Sequence, residues 1–155
     1  MIRNLSALAW LALVFSLAVP AHTSAQSIGI AIEDSWARAT IGTSRPGSVY
    51  MQIRNDRRAA VTLLEMRSEL ARTVQLHQTT VNDQGVASMS SAGEIVINPG
   101  ETISLEPGGL HAMLMGLRHA MVEGAAVEIT LVFSDGTSML VEVPVLGIGA
   151  QGPSQ

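Results

Sequence analysis

The chain has 155 residues, 47% of them hydrophobic and 14% charged, with a net charge of −4 and no cysteine. All nine basic residues are Arg and they form no basic stripe, which argues against nucleic acid as a partner. Without Cys the fold has no disulfide framework and no thiolate metal ligand, so stability must come from the core.

The N-terminus reads as a targeting segment. Met1-Ile2-Arg3-Asn4 is a short positive start, an apolar run follows from Leu5 to Val19, and Pro20 precedes small residues ending in Thr23-Ser24-Ala25. These are the three parts of a secretory signal, with cleavage expected after Ala25 and Ala21 as second choice. The run is shorter than the roughly 20 apolar residues that a membrane span needs. We therefore expect a signal peptide over 1–25, one β domain over 26–146 and a loose tail over 147–155, rich in Gly, Pro and Gln. The domain is long enough for one hydrophobic core and too short for two.

The domain reads as short strands in series. Apolar and polar residues alternate, or β-branched residues cluster, over 28–32, 49–53, 60–64, 73–77, 94–97, 102–105, 112–117, 127–133 and 139–145. Turn residues separate them at 45–47, 82–85, 98–101, 106–109, 123–124 and 134–137, each with Gly, Pro, Asn or Asp. Leu64 to Arg72 has some helical flavour, but Glu65, Arg67 and Glu69 alternate and the segment is left unassigned. Strands and turns of this rhythm predict an all-β sandwich or barrel.

Four residues of the domain suit a soft metal: His77, Met89, His111 and Met113. Imidazole with thioether favours copper, and Cu(I) above all, because thioether sulfur is polarizable. His77 follows Val74 and Leu76, so it faces away from that apolar pair. Met89 lies among serines on what reads as a polar loop edge. His111 and Met113 are two residues apart and share a face of an extended strand. Three loops converging at one end of a sandwich would assemble such a site. A lone Met is more often core filler, so Met115 is read as core beneath the site, and Met51, Met66, Met121 and Met139 as structural. His119 is read as surface, and His22 falls in the removed segment.

Nearly the whole domain resembles the periplasmic copper chaperones of the PCu(A)C family. The likeness runs through Glu33-Asp34-Ser35-Trp36-Ala37-Arg38-Ala39, Gly47-Ser48-Val49-Tyr50-Met51 and Val74-Gln75-Leu76-His77. It is strongest over Pro107-Gly108-Gly109-Leu110-His111-Ala112-Met113-Leu114-Met115-Gly116-Leu117. The family motif is His, often Met, ten residues, Met, twenty-one residues, His, any residue, Met. It falls on His77, Met89, His111 and Met113 with every gap kept, Gln78 standing where the optional Met would be. The resemblance implies a cupredoxin-like Greek-key β-sandwich. It also implies a carrier of one copper ion, Cu(I) with Cu(II) as the alternative. The carrier would be exported to the periplasm and would deliver copper to a copper-accepting protein, such as the copper centre of cytochrome c oxidase (subunit II), or to another copper carrier. The tail lacks the Met- and His-rich extension of some members.

Rival functions fit less well. Blue-copper electron transfer requires Cys, which the chain lacks. No nucleophile elbow and no His-Glu-x-x-His helix motif is present, so neither an enzyme nor a small-molecule substrate is expected. A secreted, metal-free β-sandwich binding module is the alternative function.

Overall fold

The computed structural model describes Gln26, Ser27 and residues 29–153, and the expected signal segment lies outside the described residues. These residues form eleven strands and no helix. In chain order they are β1 (Gln26–Ser27), β2 (Ile30–Arg38), β3 (Gly47–Asn55), β4 (Val61–Arg67), β5 (Ala71–Val81), β6 (Ala87–Ser91), β7 (Ile95–Ile97), β8 (Thr102–Leu105), β9 (Leu110–Leu117), β10 (Ala126–Phe133) and β11 (Ser138–Leu146).

Two layers pack face to face. One runs β6-β5-β9-β3-β2, with β8 also on β3 and β1 on β2; the other runs β11-β10-β4-β7. The chain alternates between layers, and β11 closes the order by pairing in parallel with the end of β2 at Ala37 and Arg38. Alternation decides what lies between the layers. Val49, Met51 and Ile53 of β3 point inward, as do Ala112 and Leu114 of β9. Ile129, Leu131 and Phe133 of β10 meet them from the other layer, all fully buried.

Each expected strand is present, most of them extended at one or both ends. The unassigned stretch over 64–72 is the end of β4, a turn and the start of β5, with no helix. Its charged residues alternate because Met66 and Ala71 are buried while Glu65 and Arg67 face water. Two strands were not expected: the two-residue β1, which pairs with the start of β2, and β6, which reads as a polar loop because all five of its residues are exposed. The tail is held at one point, where the Arg38 guanidinium donates to the Ala150 carbonyl at 2.7 and 3.1 Å.

Two local features set which side chains face outward. In β2 the register slips between Glu33 and Trp36, and Asp34 takes a positive φ of 50°. A bulge of this kind adds a residue and re-aims those beyond it. Ile30 and Ile32 therefore enter the core before it, while Trp36 and Arg38 lie opposite the outward Tyr50 and Ser48 of β3 after it. At the start of β3, Gly47 is buried and pairs with Leu114 of β9. A Cβ there would sit 2.2 Å from the Met121 sulfur. The expected turn at 45–47 thus ends one residue earlier, and its Gly allows close packing instead. We expect Gly47→Ala to destabilise the domain by about 1–3 kcal/mol, the usual cost of overpacking, read as a lower urea midpoint with an unchanged slope.

Candidate metal centre

The pairing of β5 with β9 builds the centre. His77 lies directly opposite His111, and Gln75 opposite Met113. The Thr79 amide donates to the Gly109 carbonyl at 3.1 Å, which makes 77/111 and 75/113 the hydrogen-bonded pairs of this antiparallel ladder. Residues directly opposite share a face, so both imidazoles and Met113 project together from the outer surface of the layer. The His77 and His111 ring centroids are 6.3 Å apart, edge to face. Ala112 and Leu114, between and beyond them, point into the core. This confirms the face assigned to His77 and the shared face of His111 and Met113.

Hydrogen bonds orient the two rings differently. His111 is only 7% exposed, and its Nδ1 lies 3.0 Å from the Gly109 carbonyl. A carbonyl can only accept, so Nδ1 carries the proton and Nε2 keeps a free lone pair in the neutral ring. This backbone support is typical of a metal-binding imidazole. His77 is half-buried, and its Nε2 lies 3.2 Å from the Gln75 amide oxygen. With that contact kept, Nδ1 is its free nitrogen.

Met89 is the outlying member. It lies on β6 opposite Thr79, on the same face as His77 but displaced away from Met113. It is 60% exposed. Two strand spacings and four residues separate it from Met113, on the order of 16 Å between Cα atoms in a flat sheet. The structure therefore gathers His77, His111 and Met113 closely and holds Met89 at the rim. Three sequence expectations are corrected here. Met89 sits on a strand, not a loop. Three of the four residues, His77, His111 and Met113, gather on a sheet face, not at loops at one end of the sandwich, and Met89 does not join them. Met115 is not core: it follows Met113 on the outer face, opposite Thr73, and is 37% exposed. His119 is exposed as expected.

Sequence reasoning missed the surroundings of His111. Tyr50 lies 6.4 Å from it between ring centroids, and Trp36 lies 4.4 Å from Tyr50. The Arg38 guanidinium covers both rings at 5.5–5.6 Å. Trp36 and Tyr50 are each 4% exposed although they point away from the main core. Strand parity marks Tyr50 as outward, but the β2 bulge hides the matching parity of Trp36. Gln75 was also missed, and parity with His77 was its signal.

Among the described residues no three of His, Cys, Asp and Glu gather where they could share a metal ion. An ion held here needs thioether as well as imidazole, and that combination selects a soft ion.

Comparisons with known proteins identify the family and the fold. The family described as “Putative lipoprotein LpqE-like” matches residues 30–145, a span that includes all four candidate ligands. The chain belongs to the LpqE-like family, a relative of the PCuAC domains. A putative lipoprotein of Leifsonia xyli subsp. xyli is 30% identical over 77% of this chain and 71% of its own. An uncharacterized protein of Rickettsia prowazekii is 31% identical over 71% of this chain and 62% of its own. Among solved structures, the apo PCuAC domain of PmoF2 superposes with a TM-score of 0.70 at 24% identity, over 84% of this chain and all of that domain. That likeness establishes the cupredoxin-like sandwich. The Cu(I) form of DR1885 from Deinococcus radiodurans is 29% identical, with a TM-score of 0.57 over 74% of this chain and 78% of that one.

Two pairs of substitutions separate ligand from neighbour in this LpqE-like chain. His111→Ala should weaken Cu(I) binding by more than about a hundredfold, the upper end of what loss of an outer-shell partner costs, while exposed His119→Ala leaves it unchanged. Met113→Leu should weaken binding clearly and Met115→Leu should not. Equal losses within either pair, in competition against a chromophoric Cu(I) chelator, would refute the assignment.

Proposed function

We propose that this protein is an exported copper carrier. It holds one Cu(I) ion as cargo at His77, His111, Met113 and Met89 and passes it to a copper-accepting protein. The observation that carries the reading is the directly opposed pair, His77 and His111, with Met113 beside them on the same outer face. Two neutral imidazoles and thioethers need no deprotonation and form no disulfide in an oxidising compartment. The name of the Leifsonia relative as a lipoprotein and the signal-like N-terminus support export, with the periplasm as the compartment. The copper-bound PmoF2 domain and the Cu(I) form of DR1885 support the choice of metal. A cytochrome c oxidase copper centre fits as the acceptor, and the protein itself has no catalytic step.

The geometry suggests an order of events. His111 is oriented before the ion arrives, and Met113 stands two residues along the same strand. His77 must either present Nδ1 or release Gln75 to present Nε2. Met89 joins last, when the β5–β6 hairpin curls toward β9, and it is exposed enough to leave first. Release is then ligand exchange: an acceptor donor replaces the Met89 thioether while the imidazoles still hold the ion. Copper stays Cu(I) throughout, because thioethers favour that state and the chain has no Cys to supply electrons.

Anaerobic titration should reach saturation at one Cu(I) per chain; no saturation, or a second equivalent, would overturn the single-site reading. Cu(I)-loaded protein mixed with an acceptor bearing free thiols should give up its copper, while disulfides of the oxidised acceptor stay intact. Reduction of those disulfides by this protein alone would make it a redox enzyme instead.

A further inference from the structure

The two ends of the strand order are treated differently. At one end, β7 has three residues, flanked by Glu94 on one side and Asn98-Pro99 on the other. Shortness, charge and proline are the usual means by which a sheet edge is closed to other strands. At the other end, β6 has five residues, Ala87-Ser88-Met89-Ser90-Ser91, with no charge and no proline, and every one is exposed. None of those protective devices is present on it.

The outward backbone groups of β6 can be identified. The Asn82 amide donates to the Val86 carbonyl at 3.1 Å, and the Ala92 amide to the Leu76 carbonyl at 2.8 Å. Between these ends β5 and β6 are in continuous register. Hydrogen-bonded and non-bonded pairs alternate in an antiparallel ladder, so Ser88 and Ser90 bond inward to β5. Ala87, Met89 and Ser91 direct their amides and carbonyls to the free edge. Met89 is thus doubly placed: its backbone faces outward along the sheet plane and its thioether rises on the face that carries His77 and His111.

We infer that β6 is the docking edge for the copper acceptor, which adds an extended segment as a further strand. This deepens the carrier reading and rests on it. Main-chain bonds to Ala87, Met89 and Ser91 supply the affinity, as in other strand additions. The register supplies the chemistry, because a residue set opposite Met89 must place its side chain on the copper face, beside the most exposed ligand. The occupant is therefore a strand with a soft-metal donor (Met, Cys or His) at alternate positions. Its donor replaces the Met89 thioether while the backbone pairing holds both strands in place.

The probe is an eight-residue peptide alternating Thr with Met or His, compared with the same peptide N-methylated at every amide. Both carry identical copper ligands, but only the first has an edge free to pair with β6. In copper-free protein the unmodified peptide should slow hydrogen exchange at the Ala87, Met89 and Ser91 amides, and the methylated one should not. With Cu(I)-loaded protein, transfer to the unmodified peptide should be faster by at least about tenfold, from strand addition. Ala87→Pro and Ser91→Pro each delete an outward amide without removing a bond to β5, a position that edge strands tolerate. These variants should lose the rate advantage yet keep the Cu(I) affinity and their rate of transfer to a small chelator. Equal rates for the two peptides, or no exchange protection, would overturn the docking edge and leave the copper site standing. Loss of Cu(I) binding by the unaltered protein would instead overturn the carrier reading, with the exchange experiment still testing the edge. Protection of the same amides by self-association at rising concentration would identify a second copy as occupant and refute an acceptor strand.

Discussion

The antiparallel ladder between β5 and β9 is the constraint on which the centre depends. One register sets His77 against His111 and Gln75 against Met113, and the same register sends Leu76, Ala112 and Leu114 into the core. A slip of one residue would reverse every face. It would bury imidazole and thioether among apolar side chains and expose two fully buried hydrophobic residues. The core therefore enforces the face that carries the candidate ligands, and neither can change without the other. Gly47 contributes from the far side of β9, where only a residue without Cβ fits under Met121 and opposite Leu114.

A second packing unit lies outside the main core. Trp36, Tyr50 and His111 form a row across three strands, covered by Arg38, which also bonds the Ala150 carbonyl of the tail. The row surrounds one side of the only imidazole in the site that is almost fully buried. Beside it His77 and Met113 are half-buried, and Met89 on the edge strand is 60% exposed. The site is thus graded from a fixed imidazole to a free thioether. A carrier needs such a gradient, since an ion enclosed on every side would be retained and one held only at the rim would be lost.

Much of this was legible in the residues, and what was hidden was hidden for physical reasons. Period-2 alternation exposes a half-buried strand, so β3, β8, β10 and β11 read clearly. β6 has no buried face, so its sequence carries no alternation and resembles a loop; its strand character comes from pairing with β5 alone. The shared face of His111 and Met113 follows from their spacing. The opposition of His77 to His111 does not, because register between distant strands is set by the whole core. Met115 shows the limit of treating methionine as core filler: parity put it on the face of His111, and parity proved the better guide. Trp36 was beyond sequence reasoning because the bulge at Asp34 resets parity inside β2.

The free edge and the lack of cysteine have a common consequence. A thiolate would hold Cu(I) more firmly, but outside the cytoplasm it could be captured as a disulfide. Thioethers avoid that hazard and bind more weakly, so release needs no redox trigger. Selectivity in release must then come from elsewhere, since any passing donor could take a weakly held ion. Strand pairing at β6 would provide it. A donor free in solution meets Met89 at its own concentration, whereas one carried on a docked strand meets it at the much higher effective concentration of a tethered group. Weak ligation at the rim and an unprotected backbone edge beside it are each a liability alone. In the carrier proposed above, together they would restrict rapid transfer to a partner that can recognise the edge.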